Sequence, residues 1–136
     1  MTAFAVDTSA LVCVLNDEPE AMAFNQAFHE ADEIFISTAT VLEASCVMAG
    51  DRFVQGRQRL RRLMELLSPT VVAFDAEQLT ISQTAYAMFG RGSAHPASLN
   101  MGDCFAYSLA KTLGIPLLFK GDDFIHTDIQ PALKPG

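Results

Sequence analysis

The sequence has no long hydrophobic run and no sign of a secretion signal. None of its apolar stretches approaches the roughly 20 residues needed to cross a bilayer, and the N-terminal segment MTAFAVDTS carries no basic residue. We therefore expect a soluble, cytoplasmic protein. Paired cysteines are also lacking, because Cys13, Cys46 and Cys104 are far apart and form no C-x-x-C motif. This argues against a disulfide framework or a zinc site, and we expect all three cysteines in the core.

Basic residues are scarce as well. The 136 residues include 9 that are basic and 16 that are acidic, for a net charge of -7. This balance excludes binding of nucleic acid through overall charge alone, and it favours binding of cations or of a basic partner. Half of the residues are hydrophobic. Because a chain of this length can bury its own core, we expect one globular domain over residues 1–136.

Short apolar segments alternate with helical patterns along the chain. Those with the composition of strands are residues 3–6, 34–37, 70–74 and 116–119. Those with helical spacing or helix caps are residues 9–15, 20–31, 40–49, 57–67, 75–89 and 100–112. Asp75 and Asn100 are the expected N-caps of the last two. Continuous apolar strands are typical of a parallel sheet that is covered on both faces. The order therefore predicts an α/β fold, a three-layer α/β/α sandwich with a short parallel central sheet.

Acidic residues at the ends of the predicted strands are the candidates for a functional site. They are Asp7, Glu43, Asp103 and the adjacent pair Asp122 and Asp123. Because the carboxyl ends of parallel strands share one edge of a sheet, we expect these acids to converge there. Ionised carboxylates at close quarters need a counter-ion. Oxygen ligands without His or Cys favour Mg²⁺ or Mn²⁺, and the chemistry this indicates is hydrolysis of phosphodiester bonds.

Each of these acids also has a purely structural interpretation. The spacings T-x-x-E and N-x-x-D that end at Glu43 and Asp103 are those of helix capping boxes. Asp7 can cap the helix that follows it, and Asp122 and Asp123 can be ordinary turn residues. The metal-site hypothesis therefore depends on all of them lying at one edge of the sheet.

The chain resembles the PIN-domain family, and more narrowly its VapC branch, the toxins of bacterial type II toxin-antitoxin pairs. The resemblance lies in the motifs V-D-T-S-A-L, T-A-T-V-L-E-A, L-N-M-G-D-C-F-A-Y-S-L-A-K and L-L-F-K-G-D-D-F, and it covers nearly the whole chain. It implies a PIN-like nuclease domain over residues 1–136 with the α/β/α fold. The implied activity is that of an endoribonuclease dependent on Mg²⁺ or Mn²⁺.

The resemblance also implies a role for each acid. Asp7 and Asp103 would be the main metal ligands, and Glu43 would be a further ligand or would position the metal-bound water. One of Asp122 and Asp123 would be the fourth acid. Relatives with the pattern K-G-x-D-F favour Asp123, although Gly121 stands where many family members have another aspartate.

Further residues are assigned to supporting roles. Thr8 or Ser9 would place a hydroxyl beside Asp7. Arg91 and Lys120 are the candidates for contacts with RNA, since the loop of residues 90–99 and the end of the fourth strand both approach the acidic edge. His95 is a candidate general base, because histidine is the side chain most often used for proton transfer in catalysis, although a histidine followed by proline in a loop is more often a surface residue.

The acidic residues and the family resemblance also indicate partners and leave two rival functions open. A basic antitoxin is the implied partner, because an arginine inserted among the carboxylates would replace the metal; the family also suggests a homodimer. One rival is a Mg²⁺-dependent phosphatase, which would need a second acid in D-x-D where this chain has Thr8 and Ser9 after Asp7. Another is a non-catalytic module that binds RNA or a partner, in which loss of an acid would be expected.

Overall fold

A parallel four-stranded sheet forms the centre of the protein, in a computed structural model that describes residues 2–133. Its strands are β1 Ala3–Val6, β2 Glu33–Ser37, β3 Thr70–Val72 and β4 Leu117–Leu118. They lie in the order β3-β2-β1-β4, and every pair of neighbours is parallel. The predicted parallel sheet is confirmed.

Helices connect the strands. They are α1 Thr8–Leu15, α2 Ala21–Glu30, α3 Thr38–Met48, α4 Gly56–Leu67, α5 Ala76–Phe89 and α6 Met101–Leu113, with two short 3-10 helices at Arg91–Ser93 and Phe124–His126. Asp75 and Asn100 are N-caps as predicted, and Gly114 ends α6 in the left-handed conformation that glycine adopts without strain. Among residues 2–133, no helix combines the length and the apolar composition of a membrane span.

Successive side chains of each strand point to opposite faces of the sheet, and this divides the core into two layers. Phe4 and Val6 of β1 point to one face, where they pack with residues of α1, α2, α3 and α4. Ala5 and Leu117 belong to the core on the other face, which α5 and α6 cover. The three-layer α/β/α fold is therefore confirmed, because side chains of one strand alternate between its two faces.

The third and fourth strands are shorter than predicted. The segment 70–74 forms only Thr70–Val72, and 116–119 forms only Leu117–Leu118. The prediction that every strand is buried on both faces is wrong for β3, where Val71 is 51% exposed. This strand lies at the edge of the sheet and pairs with β2 alone, so its apolar side chains have less to pack against.

The start and the outer face of α3 also differ from the prediction. Ser37, not Thr40, is the N-cap, so Thr40 and Glu43 do not form a capping box. Cys46 is exposed, whereas Cys13 and Cys104 are buried as expected. The helix buries the stripe Thr40, Ala44 and Met48. A segment that is apolar all round does not indicate which of its faces will be covered.

The order of the strands creates a crevice beside β1. From β1 the chain continues to β2 on one side, and after β3 it crosses to β4 on the other side of β1. In open α/β sheets, ligands bind at such a reversal, outside the carboxyl ends of the strands. The carboxyl ends of β1 and β4 are therefore where a site is expected.

Candidate active site

Asp7 lies at the carboxyl end of β1 and is almost completely buried. Its Oδ2 accepts hydrogen bonds from the backbone amide of Ser9 at 3.0 Å and from the Ser9 hydroxyl at 2.6 Å, so the residue caps α1. Burial raises the pKa of Asp7 to about 7, against the opposing effect of the Ser9 hydroxyl; the charges of Asp103 and Glu43 raise it further. A helix cap does not need this burial, so the cap alone does not account for the position of Asp7.

Ser9 connects Asp7 to the end of β4. Its hydroxyl donates a hydrogen bond to Asp7, and its Oγ accepts one from the backbone amide of Lys120 at 3.0 Å. The amide of Asp7 in turn donates to the carbonyl oxygen of Leu118 at 3.0 Å. These bonds join the two strand ends that border the crevice.

Glu43 reaches the crevice from the second turn of α3. The hydroxyl of Thr8 donates to its Oε1 at 2.5 Å. On its other side the carboxylate lies against Gly102 in the first turn of α6: a Cβ at Gly102 would stand 1.6 Å from Oε2 of Glu43. Only glycine therefore lets this carboxylate lie beside the helix that carries Asp103.

Asp103 belongs to a capping box with Asn100. Its Oδ2 accepts the amide of Asn100 at 3.0 Å, and its own amide donates to Oδ1 of Asn100 at 2.8 Å. The capping interpretation is thus confirmed, and it leaves Oδ1 of Asp103 for other partners. Burial raises the pKa of Asp103 to about 6, and the charges of Asp123 and Glu43 add to this effect, while the amide of Asn100 and the charge of Arg91 oppose it.

The two adjacent aspartates follow a turn at Gly121, whose φ of +103° suits glycine. Both Asp122 and Asp123 are exposed. Among neighbouring carboxylates, Asp123 makes the largest electrostatic contribution to the raised pKa of Asp103. This points to Asp123 as the member of the pair that faces the other acids.

The predicted basic residues occupy different positions. Arg91 is exposed, and its charge acts on Asp103. The ammonium of Lys120 instead forms an ion pair with Glu18 and lies 3.7 Å from Glu20. Of the two candidates for contact with RNA, Arg91 is thus the one whose charge acts on a site carboxylate.

His95 has partners outside the acidic cluster. Its Nδ1 accepts the amide of Ala97 at 3.1 Å, and its ring packs edge-on against Phe89 with centroids 5.0 Å apart. These contacts belong to the loop after α5. They support a structural role for His95 rather than that of a general base.

Sequence reasoning missed two residues of this region. A glycine in the first turn of a helix, as in M-G-D, is a signal for close approach that could have identified Gly102. No local signal pointed to Glu18, because it meets Lys120 across 102 positions of the chain.

The donor atoms fit a hard divalent cation. Among residues 2–133, no three His, Cys, Asp or Glu side chains are arranged to hold a metal ion by themselves. Mg²⁺, however, is commonly bound through one or two carboxylates, with water and substrate phosphate completing its coordination. The all-carboxylate donor set has this chemistry: Asp7 is buried, Asp103 is half-buried, and the Glu43 carboxylate lies against Gly102.

Comparisons with known proteins agree with this α/β/α fold. Residues 4–130 match the PIN domain family. The chain is 45% identical over 131 residues to Ribonuclease VapC30 of Mycobacterium tuberculosis, covering 96% of this chain and 98% of that protein. The solved structure of VapBC2 from Rickettsia felis, bound to a DNA fragment from its promoter, has a TM-score of 0.71 at 13% identity and covers 96% of both chains.

A toxin-antitoxin complex from Klebsiella pneumoniae has a TM-score of 0.68 at 18% identity, covering 97% of this chain and 99% of that one. At these identities the solved structures bear on the fold. The matched domain and the similarity to VapC30 establish the family. The chain belongs to the PIN-domain family, in its VapC branch.

Proposed function

We propose that the protein is a metal-dependent endoribonuclease, the toxin of a VapBC-type toxin-antitoxin pair, which hydrolyses RNA phosphodiester bonds. The observation that carries the proposal is the placing of Asp7, Glu43 and Asp103 close enough for their charges to interact at the carboxyl edge of the sheet. VapC30, at 45% identity, is named a ribonuclease, which supports the same activity here. Such a protein would act in the cytoplasm, where cellular RNA is found.

Mg²⁺ or Mn²⁺ is the proposed cofactor, with Asp7 and Asp103 as its ligands. A bound divalent cation supplies a more acidic attacking water and stabilises charge on the leaving oxygen. Glu43, which accepts a hydrogen bond from the Thr8 hydroxyl, would be a further ligand or would orient the attacking water and take up its proton. Asp123 is the fourth acid at the edge, and Ser9 holds Asp7 in place.

Binding of RNA needs local positive charge, because the chain as a whole carries a net charge of -7. Arg91 is exposed and its charge acts on Asp103, so its guanidinium can pair with a phosphate oxygen next to the cleaved bond. Lys120 is a weaker candidate, since its ammonium is held by Glu18.

The proposed protein partner is a basic antitoxin. The toxin-antitoxin complexes among the solved structures of the same fold support such a partner. An arginine of the antitoxin, placed among the carboxylates, would replace the cation and pair with the acids bidentately. We also propose that the protein forms a homodimer, because its resemblance to the VapC branch suggests one.

The first test is the dependence of RNA cleavage on a divalent cation. We expect the purified protein to cut cellular RNA with Mg²⁺ or Mn²⁺ and to lose at least about 100-fold in rate in excess EDTA, because the acids alone cannot stabilise the leaving oxygen. Gel analysis of total RNA measures this, and added Mn²⁺ should restore cutting. Undiminished cleavage in EDTA would contradict the metal mechanism. A folded protein that cuts no RNA with either cation would favour the non-catalytic alternative.

A second test separates the adjacent aspartates, which serve as matched controls for one another. We expect Asp123→Asn to lower the rate of cleavage about 100-fold and Asp122→Asn to change it less than about twofold, because Asp123 is the one whose charge acts on Asp103. Both residues are exposed, so neither change should affect folding. The opposite result would make Asp122 the fourth acid.

A further inference from the structure

The side chain of Lys120 connects the end of β4 to the loop after α1. Its ammonium donates to Oε1 of Glu18 and lies 3.7 Å from Oε2 of Glu20. The Glu18 carboxylate also accepts the side-chain amide of Asn16 at 3.0 Å, and the Glu18 amide donates to the carbonyl oxygen of Cys13 at 3.0 Å. Glu18 is therefore itself anchored to α1.

The backbone of the same lysine is held at the site. Its amide donates to Oγ of Ser9, the hydroxyl that donates to Asp7. Directly after Lys120 the chain turns at Gly121, and the exposed Asp123 follows two residues later. Lys120 is thus fixed by its backbone on one side and by its ammonium on the other.

Three residues are left between this anchor and the next one. The ring of Phe124 is buried and packs against that of Phe119 with centroids 5.0 Å apart. The exposed segment 121–123, which includes the acid at the site, lies between Lys120 and Phe124. Its conformation depends on where those two ends are held.

The ion pair is charged at neutral pH. The hydrogen bond from Lys120, followed by that from Asn16, lowers the pKa of Glu18, and the bond to Glu18 raises the pKa of Lys120. The pair is partly exposed, with 34% of the lysine and 20% of the glutamate side chain accessible. Its strength is accordingly modest, which suits a role in fixing geometry more than one in stabilising the fold.

We propose that Glu18 and Lys120 form a positioning clamp, which fixes the turn at Gly121 so that Asp123 faces Asp103 and the cation site. The clamp rests on the proposed function, and it assigns Lys120 to holding the site instead of contacting RNA. Neither residue touches the reacting atoms. Both act through Asp123.

Three variants test the clamp: Glu18→Gln, Lys120→Gln and the exchange Glu18→Lys with Lys120→Glu. Lys111→Gln is the matched control, because it breaks a comparable exposed ion pair with Asp128 at the far end of α6. Binding of Mn²⁺ without RNA is followed by electron paramagnetic resonance. We expect both single variants to bind Mn²⁺ about fivefold to tenfold more weakly, the exchange to return within about threefold of the wild type, and the control to be unchanged.

Melting temperatures and amide exchange complete the test. We expect melting temperatures within about 3 °C of the wild type, since a partly exposed ion pair contributes little to the stability of the fold. Exchange of the Lys120 amide should be faster in both single variants. A loss of Mn²⁺ affinity without recovery in the exchange, or unchanged affinity in Glu18→Gln, would overturn the clamp.

Other outcomes separate the clamp from its alternatives. If Lys120→Gln weakens binding of RNA but leaves binding of Mn²⁺ unchanged, Lys120 contacts RNA and the clamp is wrong. If the wild type binds Mn²⁺ but cuts no RNA, the proposed function fails, while the Mn²⁺ titrations still decide on the clamp. A wild type that binds no Mn²⁺ overturns both.

Discussion

Replacing Asp7 with asparagine is expected to abolish RNA cleavage and to raise the melting temperature of the protein at neutral pH. Asparagine has nearly the same shape and is an equally good N-cap, so α1 should keep its start. The carboxylate, however, is lost as a ligand, and we expect the rate of cleavage to fall about 1000-fold or more. The same change removes a charge that burial disfavours.

The gain in stability should depend on pH in a defined direction. Asp7 titrates near 3.8 when unfolded and at about 7 when folded, so the folded state retains a proton that the unfolded chain releases. The stability from this proton is fully present below pH 3.8 and is lost as the pH rises to about 7. The full difference corresponds to about 4 kcal/mol, and after relaxation of the site we expect about 2 kcal/mol.

Thermal melting of wild type and variant between pH 4 and pH 8 measures this effect. The advantage of Asp7→Asn should be close to zero at pH 4 and reach about 5 °C or more at pH 8. Added Mg²⁺ should stabilise only the wild type and reduce the difference. Asp51→Asn, which replaces an exposed acid, is the control and should change neither the rate of RNA cleavage nor the melting temperature. Retained cleavage, or an advantage that does not vary with pH, would contradict the assignment.

The second large effect is expected from Gly102→Ala, which changes no charged or polar group. The new Cβ would stand 1.6 Å from Oε2 of Glu43 and 2.4 Å from its Cδ, so the carboxylate must leave its place. It then loses the hydrogen bond from Thr8 as well. We expect the rate of RNA cleavage to fall about 100-fold, because displacement of a catalytic group by about 1 Å has effects of this size.

Stability should respond much less than activity. The displaced atoms are the end of a flexible side chain, so overpacking should cost no more than about 1–3 kcal/mol, and alanine in a helix recovers up to about 1 kcal/mol relative to glycine. Gly92→Ala is the matched control, since a Cβ at Gly92 meets nothing within 4 Å. In a Glu43→Ala background, Gly102→Ala should have little further effect on cleavage. A full additional loss there would show that Gly102 acts in another way.

Much of the fold could be predicted because its signals are local. Caps such as Asp75 and Asn100 act within three residues of themselves, and each begins a helix in the structure as expected. The acids at strand ends followed from topology, since parallel strands share a carboxyl edge. The errors arose where burial depends on neighbours: Cys46 is exposed on α3, and Val71 is exposed on the edge strand β3.

The sequence by itself determined the helices and strands, the parallel α/β/α arrangement and the set of acids at its edge, because periodicity, caps and strand ends are properties of short segments. Only the tertiary structure decided how those acids are held. Glu43 lies against Gly102, and Glu18 pairs with Lys120, through contacts between residues that are far apart in the chain. Such contacts leave no periodic trace in the sequence, since they depend on how helices and loops pack around the sheet.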